Sequence, residues 1–149
     1  MPRKSTIEKA REDRREGKSP STQAGEFVHE EMDHIREGKH GARNTKQAIA
    51  IGLSKARRAG VKLGAPRKGT TSARTRKKAT QDEATGQGRR RRRAPSRTRS
   101  RATTRALKRE GRRAASPRAL SRQAKQAAAR RKRRGPTTQG AGRRRRAST

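Results

Sequence analysis

Runs of consecutive basic residues are the feature of this sequence with the clearest chemistry. The guanidinium group of arginine stays charged at physiological pH, and its planar set of donors pairs with phosphate oxygens. Runs of this density predict binding to a phosphate backbone. The candidate nucleic-acid-binding residues form three runs and one alternating segment: Arg89, Arg90, Arg91, Arg92, Arg93, Arg97, Arg99, Arg101, Arg130, Arg131, Lys132, Arg133, Arg134, Arg143, Arg144, Arg145 and Arg146.

The distribution of charge assigns this role to the second half of the chain. Residues 67–149 carry 31 basic and 3 acidic side chains, against 15 and 9 in residues 1–66, so the net charges are +28 and +6. The 31 cations match the phosphates of about 15 base pairs, at one charge per about 1.7 Å of duplex. Because phosphate contacts carry no sequence information, we expect sequence-nonspecific DNA binding by phosphate neutralisation, as in nucleoid-associated or histone-like proteins.

Two other roles remain open at this point. The sole aromatic residue is Phe27, and the lack of stacking residues favours duplex DNA over RNA and single strands. The alternating segment 97–101 nevertheless resembles the arginine-serine segments of RNA-associated proteins, so an RNA-binding or ribosome-associated protein is an alternative. A third is an interaction adaptor that its basic tail tethers to nucleic acid.

A cluster of histidine and acidic residues at 29–34 raises the question of a metal or acid-base site. His29 and His34 are five residues apart, which places them about 140° from each other on a helix, so they cannot share one face. We interpret the cluster as a solvated polar face. The chain has no cysteine, which excludes zinc fingers and thiol chemistry. We therefore predict a non-enzymatic protein with no catalytic, cofactor or metal residue.

Two amphipathic helices are predicted in residues 19–63. The first begins near Ser19, ends at Gly38 and has its acidic side chains opposite its apolar stripe. The second has Asn44 as its N-cap and Gly60 as its stop. A short loop joins them, so they should pack as an antiparallel hairpin, with small residues such as Gly52 permitting close approach. The candidate packing residues are Phe27, Val28, Met32, Ile35, Ile49, Leu53 and Ala56.

The segments on either side of the hairpin are more polar. In residues 1–18, Ser5 and Glu8 have capping-box spacing, which predicts a short, solvent-exposed helix over residues 6–16. Beyond a boundary at residues 64–66, residues 64–149 read as a disordered basic tail in which residues 86–88 form a flexible joint. Residues 117–134 are rich in helix formers, and we predict that they form a latent helix that folds on a polyanion.

The expected fold class is thus small all-α, a helical hairpin preceded by a short helix, with a long intrinsically disordered arginine-rich tail. Only 24% of the residues are hydrophobic, so the hairpin should be marginal alone and gain stability by self-association or from a partner. No run of apolar residues is long enough to cross a bilayer, which predicts a soluble, intracellular protein without membrane insertion. Together with the expected DNA binding, this predicts a cytoplasmic, nucleoid-associated protein.

Three motifs carry a resemblance to known proteins: PSTQAGEFV at 20–28, IREGKHG at 35–41 and KQAIAIGLS at 46–54. They make residues 20–63 similar to a family of small, uncharacterised basic proteins from bacteria. Membership implies a bacterial cytoplasmic setting and a helical domain, and it supplies no catalytic residue. Separately, the tail is similar in composition to the carboxy-terminal arms of linker histones and bacterial histone-like proteins.

Overall fold

Helices form all the regular structure in the part of the chain that the computed structural model describes, residues 1–91 and 94–134. An all-α fold is therefore confirmed. No helix in these ranges has the length and apolarity that a membrane span requires. In chain order the elements are α1 (Lys4–Arg15), α2 (Pro20–Arg36), α3 (Thr45–Arg58), α4 (Ala73–Gly86), α5 (Arg97–Arg109), a 3₁₀ turn (Arg113–Ala115) and α6 (Pro117–Arg134).

The bounds of α2 follow from the residues at its ends. The Ser19 hydroxyl accepts a hydrogen bond from the backbone N–H of Thr22, and Pro20 occupies the first helical position, where it loses no hydrogen bond. At the other end Gly38 has a φ of 76°, a conformation that glycine adopts without strain. The predicted start and end of this helix are confirmed.

Capping residues also determine where α3 begins and ends. The Asn44 side chain accepts from the N–H of Gln47 at 2.9 Å, and the Gln47 side chain accepts from the N–H of Arg43 at 2.7 Å. At the end, Gly60 has a φ of 101°, and the Val61 N–H donates to the Ala56 carbonyl at 3.1 Å. This is the Schellman arrangement, and it buries Val61.

The two helices pack closely at a glycine, as predicted. A Cβ atom on Gly52 would lie 2.7 Å from Cα of Val28, well inside van der Waals contact. Ala56 is fully buried one turn further along α3. Small residues therefore let the two backbones approach, as in other closely packed helix pairs.

Two hydrophobic clusters lie towards the two ends of the α2–α3 pair. Phe27 belongs to the cluster that also contacts α1, whereas Met32 and Ile35 belong to the cluster that contacts the 3₁₀ turn. All seven predicted packing residues lie in or against these clusters. The first consists of Ala10, Ala24, Phe27, Ala56 and Val61 with Ile7, Leu53 and Leu63; the second consists of Met32, Ile35, Ala42, Ala48, Ala114 and Ala115 with Val28, Ile49 and Leu120.

The structure corrects the prediction for α1. The helix begins at Lys4, and no side chain caps it, so Ser5 and Glu8 do not form a capping box. It is not solvent-exposed throughout, because Ala10 is buried against α2. Alanine contributes little to a hydrophobic stripe, and for this reason the sequence pattern gave no sign of this contact.

The structure also corrects the interpretation of residues 29–34 as a solvated polar face. His29 is exposed, but Glu30 and Glu31 are 3% and 0% exposed. Glu30 accepts a hydrogen bond from the N–H of Arg3, and Glu31 accepts one from the Lys55 ammonium. Burial of these carboxylates depends on partners from α3 and from the chain before α1, which the periodicity of α2 alone does not predict.

The largest difference from the prediction lies beyond residue 64. Helices α4, α5 and α6 occupy much of the predicted disordered tail, and Ala114 and Ala115 are buried against the hairpin. The latent helix predicted over residues 117–134 has the bounds of α6, and its folding on a polyanion stays a prediction. Alanine supplies both the helix propensity and the buried surface here. The prediction of disorder relied on the low number of large apolar residues, and it therefore missed these helices. Residues 135–149 lie outside the described residues.

Helix α4 packs on α3 through a buried polar contact. The Ser54 hydroxyl donates to the Asp82 carboxylate at 2.6 Å, and Asp82 is 4% exposed. Gly86, predicted to belong to a flexible joint, is the last residue of α4, and a Cβ there would overlap the Arg57 carbonyl. The absence of a side chain therefore serves packing at Gly86.

The contact at Gly52 can be tested with two alanine substitutions. Gly52→Ala places a methyl group against the backbone of Val28, so we expect it to lower the free energy of unfolding by roughly 1–3 kcal/mol. The control is Gly25→Ala on α2, where a Cβ meets no atom within 4 Å. It should raise stability by about 0.4–1 kcal/mol. Urea unfolding followed by circular dichroism measures both, and equal effects would contradict the packing described here.

Candidate nucleic-acid interface

Helix α5 is a basic helix with almost no burial. It has no buried residue, and Leu107 is its only half-buried side chain. At 100° per residue, five of its six cations fall within about 120° of one another. These five, which we call the α5 stripe, are Arg97, Arg101, Arg105, Lys108 and Arg109, while Arg99 lies on the other side.

Helix α6 has a similar division. Leu120 and Ala127 are half-buried, and Leu120 packs against the second hydrophobic cluster. Five exposed cations lie on the opposite side, within about 100° of one another. This α6 stripe consists of Arg118, Arg122, Lys125, Lys132 and Arg133.

A groove between α6 and the start of α3 is also basic. Arg43 and Lys46 line it from the α3 side, and Arg113 and Arg122 line it from the other. Its other lining residues are polar or small, and no carboxylate is among them. The amino end of α3 opens into this groove and adds the positive end of a helix dipole.

Hydrogen bonds to backbone carbonyl groups hold these basic elements on the hairpin. The N–H of Gly41 donates to the Leu107 carbonyl at 2.8 Å, and that of Ala42 donates to the Gly111 carbonyl at 3.2 Å. The Thr45 hydroxyl donates to the Ala114 carbonyl at 2.7 Å. The α2–α3 loop thus fixes the end of α5 and the start of α6.

The cations of both stripes lack acidic partners within the described part of the chain. No ion pair there includes a cation of α5 or α6. The acids nearest in sequence have other contacts: Asp82 with Ser54 and Lys78, Glu83 with Gln87, and Glu110 with Arg43 at 4.0 Å. The charge on the two stripes is therefore available to an external anion.

Arg57 differs from these cations because it is buried in the hairpin. Its Nε donates to the Gly64 carbonyl at 2.9 Å, and burial lowers the pKa of the guanidinium below its usual value. Arginine nevertheless stays charged at neutral pH. Arg57 therefore orders the chain after α3 and is not part of the basic surface.

The structure divides the predicted binding residues into several groups. Residues 89–91 are exposed in the segment between α4 and α5, and residues 97, 99 and 101 are exposed on α5. Residues 130–133 are exposed near the end of α6. Residues 92–93, the side chain of residue 134 and residues 143–146 lie outside the described part, so those predictions stay predictions.

Sequence reasoning missed part of this surface because it relied on consecutive runs. Arg105 and Lys108 extend the α5 stripe, and Arg118, Arg122 and Lys125 form most of the α6 stripe. In the sequence these cations are recognisable by their spacing of three or four residues. This spacing places side chains on one face only if the segment is helical.

Comparison of the chain with protein-family models, with curated proteins and with solved structures gives no match.

The attachment of the basic helices to the hairpin can be tested at Gly41. A Cβ on Gly41 would overlap the Glu110 carbonyl, so Gly41→Ala should weaken the contact by roughly 1–3 kcal/mol. We expect faster amide hydrogen exchange at Ala42, whose N–H donates across the contact. Gly111→Ala is the control, because a Cβ there meets no atom within 4 Å. Unchanged exchange at Ala42 in Gly41→Ala would contradict this attachment.

Proposed function

We propose that this protein binds duplex DNA without sequence specificity and acts as a nucleoid-associated, histone-like protein by neutralising phosphates. The observation that carries the proposal is the α5 stripe: five cations on one face of an exposed helix, none of them in an ion pair within the described residues. Cations that lie on one face of a folded protein without acidic partners repel one another, and this repulsion destabilises the fold. A polyanion relieves that repulsion, and this favours a nucleic-acid partner.

The dimensions of the stripe suit a phosphate backbone. Lys108 lies eleven positions after Arg97, which is about 17 Å at 1.5 Å per residue. About ten phosphates lie along that length of duplex, at one charge per about 1.7 Å. The phosphates along this length therefore outnumber the five cations of the α5 stripe, so there is one available for each cation.

The position of Phe27 favours the backbone over the bases. This residue is the only aromatic in the sequence, and it is 1% exposed between α1, α2 and α3. It is not accessible for stacking, the interaction by which single strands and RNA loops are commonly bound. The accessible chemistry is therefore cationic, and cationic contacts position a protein on DNA without reading its sequence.

A charge-matched pair of variants separates the α5 stripe from net charge. The first replaces Arg97, Arg101, Arg105 and Lys108 by Gln. The second replaces Lys9, Arg11, Arg14 and Arg15 by Gln; these are exposed cations of α1 that form no ion pair with any residue the structure describes. If the stripe contacts phosphates, the slope of log affinity against log salt should become about 3–4 less steep in the first variant. Fluorescence anisotropy with a labelled duplex measures the slope.

In the α1 variant the slope should change by less than one unit, because a cation remote from the interface releases few counterions. Equal changes in the two variants would show that binding follows net charge, and the α5 stripe would then have no special role.

A competition experiment tests the preferred polymer. Two duplexes of equal length and different sequence should bind with equal affinity, since phosphate contacts carry no sequence information. At equal phosphate concentration and moderate salt, the protein should favour duplex DNA over structured RNA. Preference for RNA, or recovery from cells mainly with ribosomes, would support the RNA-binding alternative.

A further inference from the structure

Two histidines and a buried carboxylate lie together where α2 meets the following loop. Glu31 is fully buried, and the side chains of His34 and His40 are 12% and 17% exposed. Glu31 and His34 lie one turn apart on α2, and the loop after Gly38 brings His40 back over the same turn. Each of the three residues offers a ligand atom, and these atoms all lie within 4.8 Å of one another.

The carboxylate of Glu31 is only half satisfied. Its Oε2 accepts a hydrogen bond from Lys55 Nζ, whereas its buried Oε1 has no hydrogen bond. A buried carboxylate oxygen without a partner is costly, because it has lost its hydration and gained nothing in exchange. Oε1 therefore marks a position where a cation would be stabilising.

His40 faces this oxygen with its second ring nitrogen. Its Nδ1 lies 3.0 Å from the Gly41 carbonyl, and since a carbonyl can only accept, the proton of the neutral ring is on Nδ1. Nε2 then presents a lone pair, 3.1 Å from Glu31 Oε1. The two atoms are not aligned as a hydrogen bond, so a proton on Nε2 would leave Oε1 unsatisfied. A larger cation beside both atoms would contact each of them.

Both histidines have the outer contacts that metal-binding histidines commonly have. Such a ring usually donates its other N–H to a carbonyl or a carboxylate, which fixes the tautomer and the ring orientation. His40 has the Gly41 carbonyl in this role, and His34 has Glu30 Oε1 at 3.4 Å from its Nε2. His34 Nδ1 remains on the side of Glu31, 4.0 Å from Oε2.

The spacing and the type of the donor atoms match a small transition-metal ion. Two imidazoles and one carboxylate are ligands that Zn²⁺ accepts, at bond lengths of about 2.0–2.2 Å. With bonds of roughly 2.1 Å, the 3.1 Å between His40 Nε2 and Glu31 Oε1 corresponds to an angle of about 95° at the metal. We propose that Glu31 Oε1, His34 Nδ1 and His40 Nε2 bind one divalent transition-metal ion of the zinc type.

Lys55 limits how the ion binds. Its ammonium group forms an ion pair with Oε2 of Glu31. The carboxylate therefore has only Oε1 to offer as a metal ligand. Three protein ligands leave a fourth position for water, since zinc is commonly four-coordinate.

The ion would hold the α2–α3 loop against α2. His40 precedes Gly41, the residue whose N–H donates to the Leu107 carbonyl at the end of α5. Binding of the metal at His40 therefore fixes the segment on which the basic helices are attached.

Zinc titration of the untagged full-length protein, stripped of metal with a chelator, tests the proposal. Calorimetry should give one Zn²⁺ per chain for the wild type. His40→Ala should weaken binding at least about tenfold, the smallest loss usual even for outer contacts of a metal site. The matched control is His29→Ala: this histidine lies on α2 with Glu31 and His34, but its side chain is 73% exposed and is not part of the cluster. It should bind zinc like the wild type.

Histidine NMR spectra of the wild type give a second readout that does not depend on a variant folding. One equivalent of zinc should shift the ring resonances of His34 and His40 and leave those of His29 unchanged. Absence of zinc binding, equal weakening in the two alanine variants, or shifts confined to His29 would each overturn the proposal.

Discussion

Where α2 crosses α3, the backbone of Gly52 lies directly against Val28, and the rest of the fold is arranged around this contact. Of the twelve buried hydrophobic residues in the described part of the chain, eight are alanines. Small side chains fill a core only when the backbones that carry them come close together. The scarcity of large apolar residues is thus compensated by the short distance between helices, and glycines at 41, 52 and 86 permit the closest approaches.

The close-packed centre separates the charges of the chain into two regions. Glu30, Glu31 and Asp82 are buried and contact residues of other segments, so these carboxylates stabilise the helical centre. The cations of α5 and α6 remain on outer faces without acidic partners among the described residues. Because carboxylates are buried in the centre while the cations of α5 and α6 lie outside, the fold presents a cationic surface to its surroundings, which is the basis of the proposed DNA binding.

The α2–α3 loop connects these two regions. On one side His40 contacts the buried carboxylate of Glu31, and on the other Gly41 and Ala42 donate hydrogen bonds to the segment after α5. A cation bound at Glu31 therefore acts at the point from which α5 and α6 extend. The proposed metal site and the proposed DNA interface remain separate in their chemistry, since one uses imidazole and carboxylate and the other uses guanidinium and ammonium.

The sequence by itself determined the hairpin and the location of the charge. Ser19, Asn44 and Gly60 specify helix ends through local hydrogen bonds and backbone freedom, and such signals act within a few residues. The large apolar residues, spaced three or four apart, identified the packing faces for the same reason. The bounds of α6 likewise followed from the sequence, because Pro117 is typical of the first turn of a helix and the Gly135-Pro136 pair is a helix stop.

Only the tertiary structure decided what covers those faces. Ala10, Ala114 and Ala115 are small enough to leave no hydrophobic stripe, yet they are buried because distant segments come together around them. Glu31 looked like a surface residue on α2 and is buried because Lys55 and His40 reach it from α3 and from the loop. Whether a charged residue is buried, and whether an alanine packs in the core, depends on contacts between residues far apart in the chain. No local sequence pattern predicts these contacts.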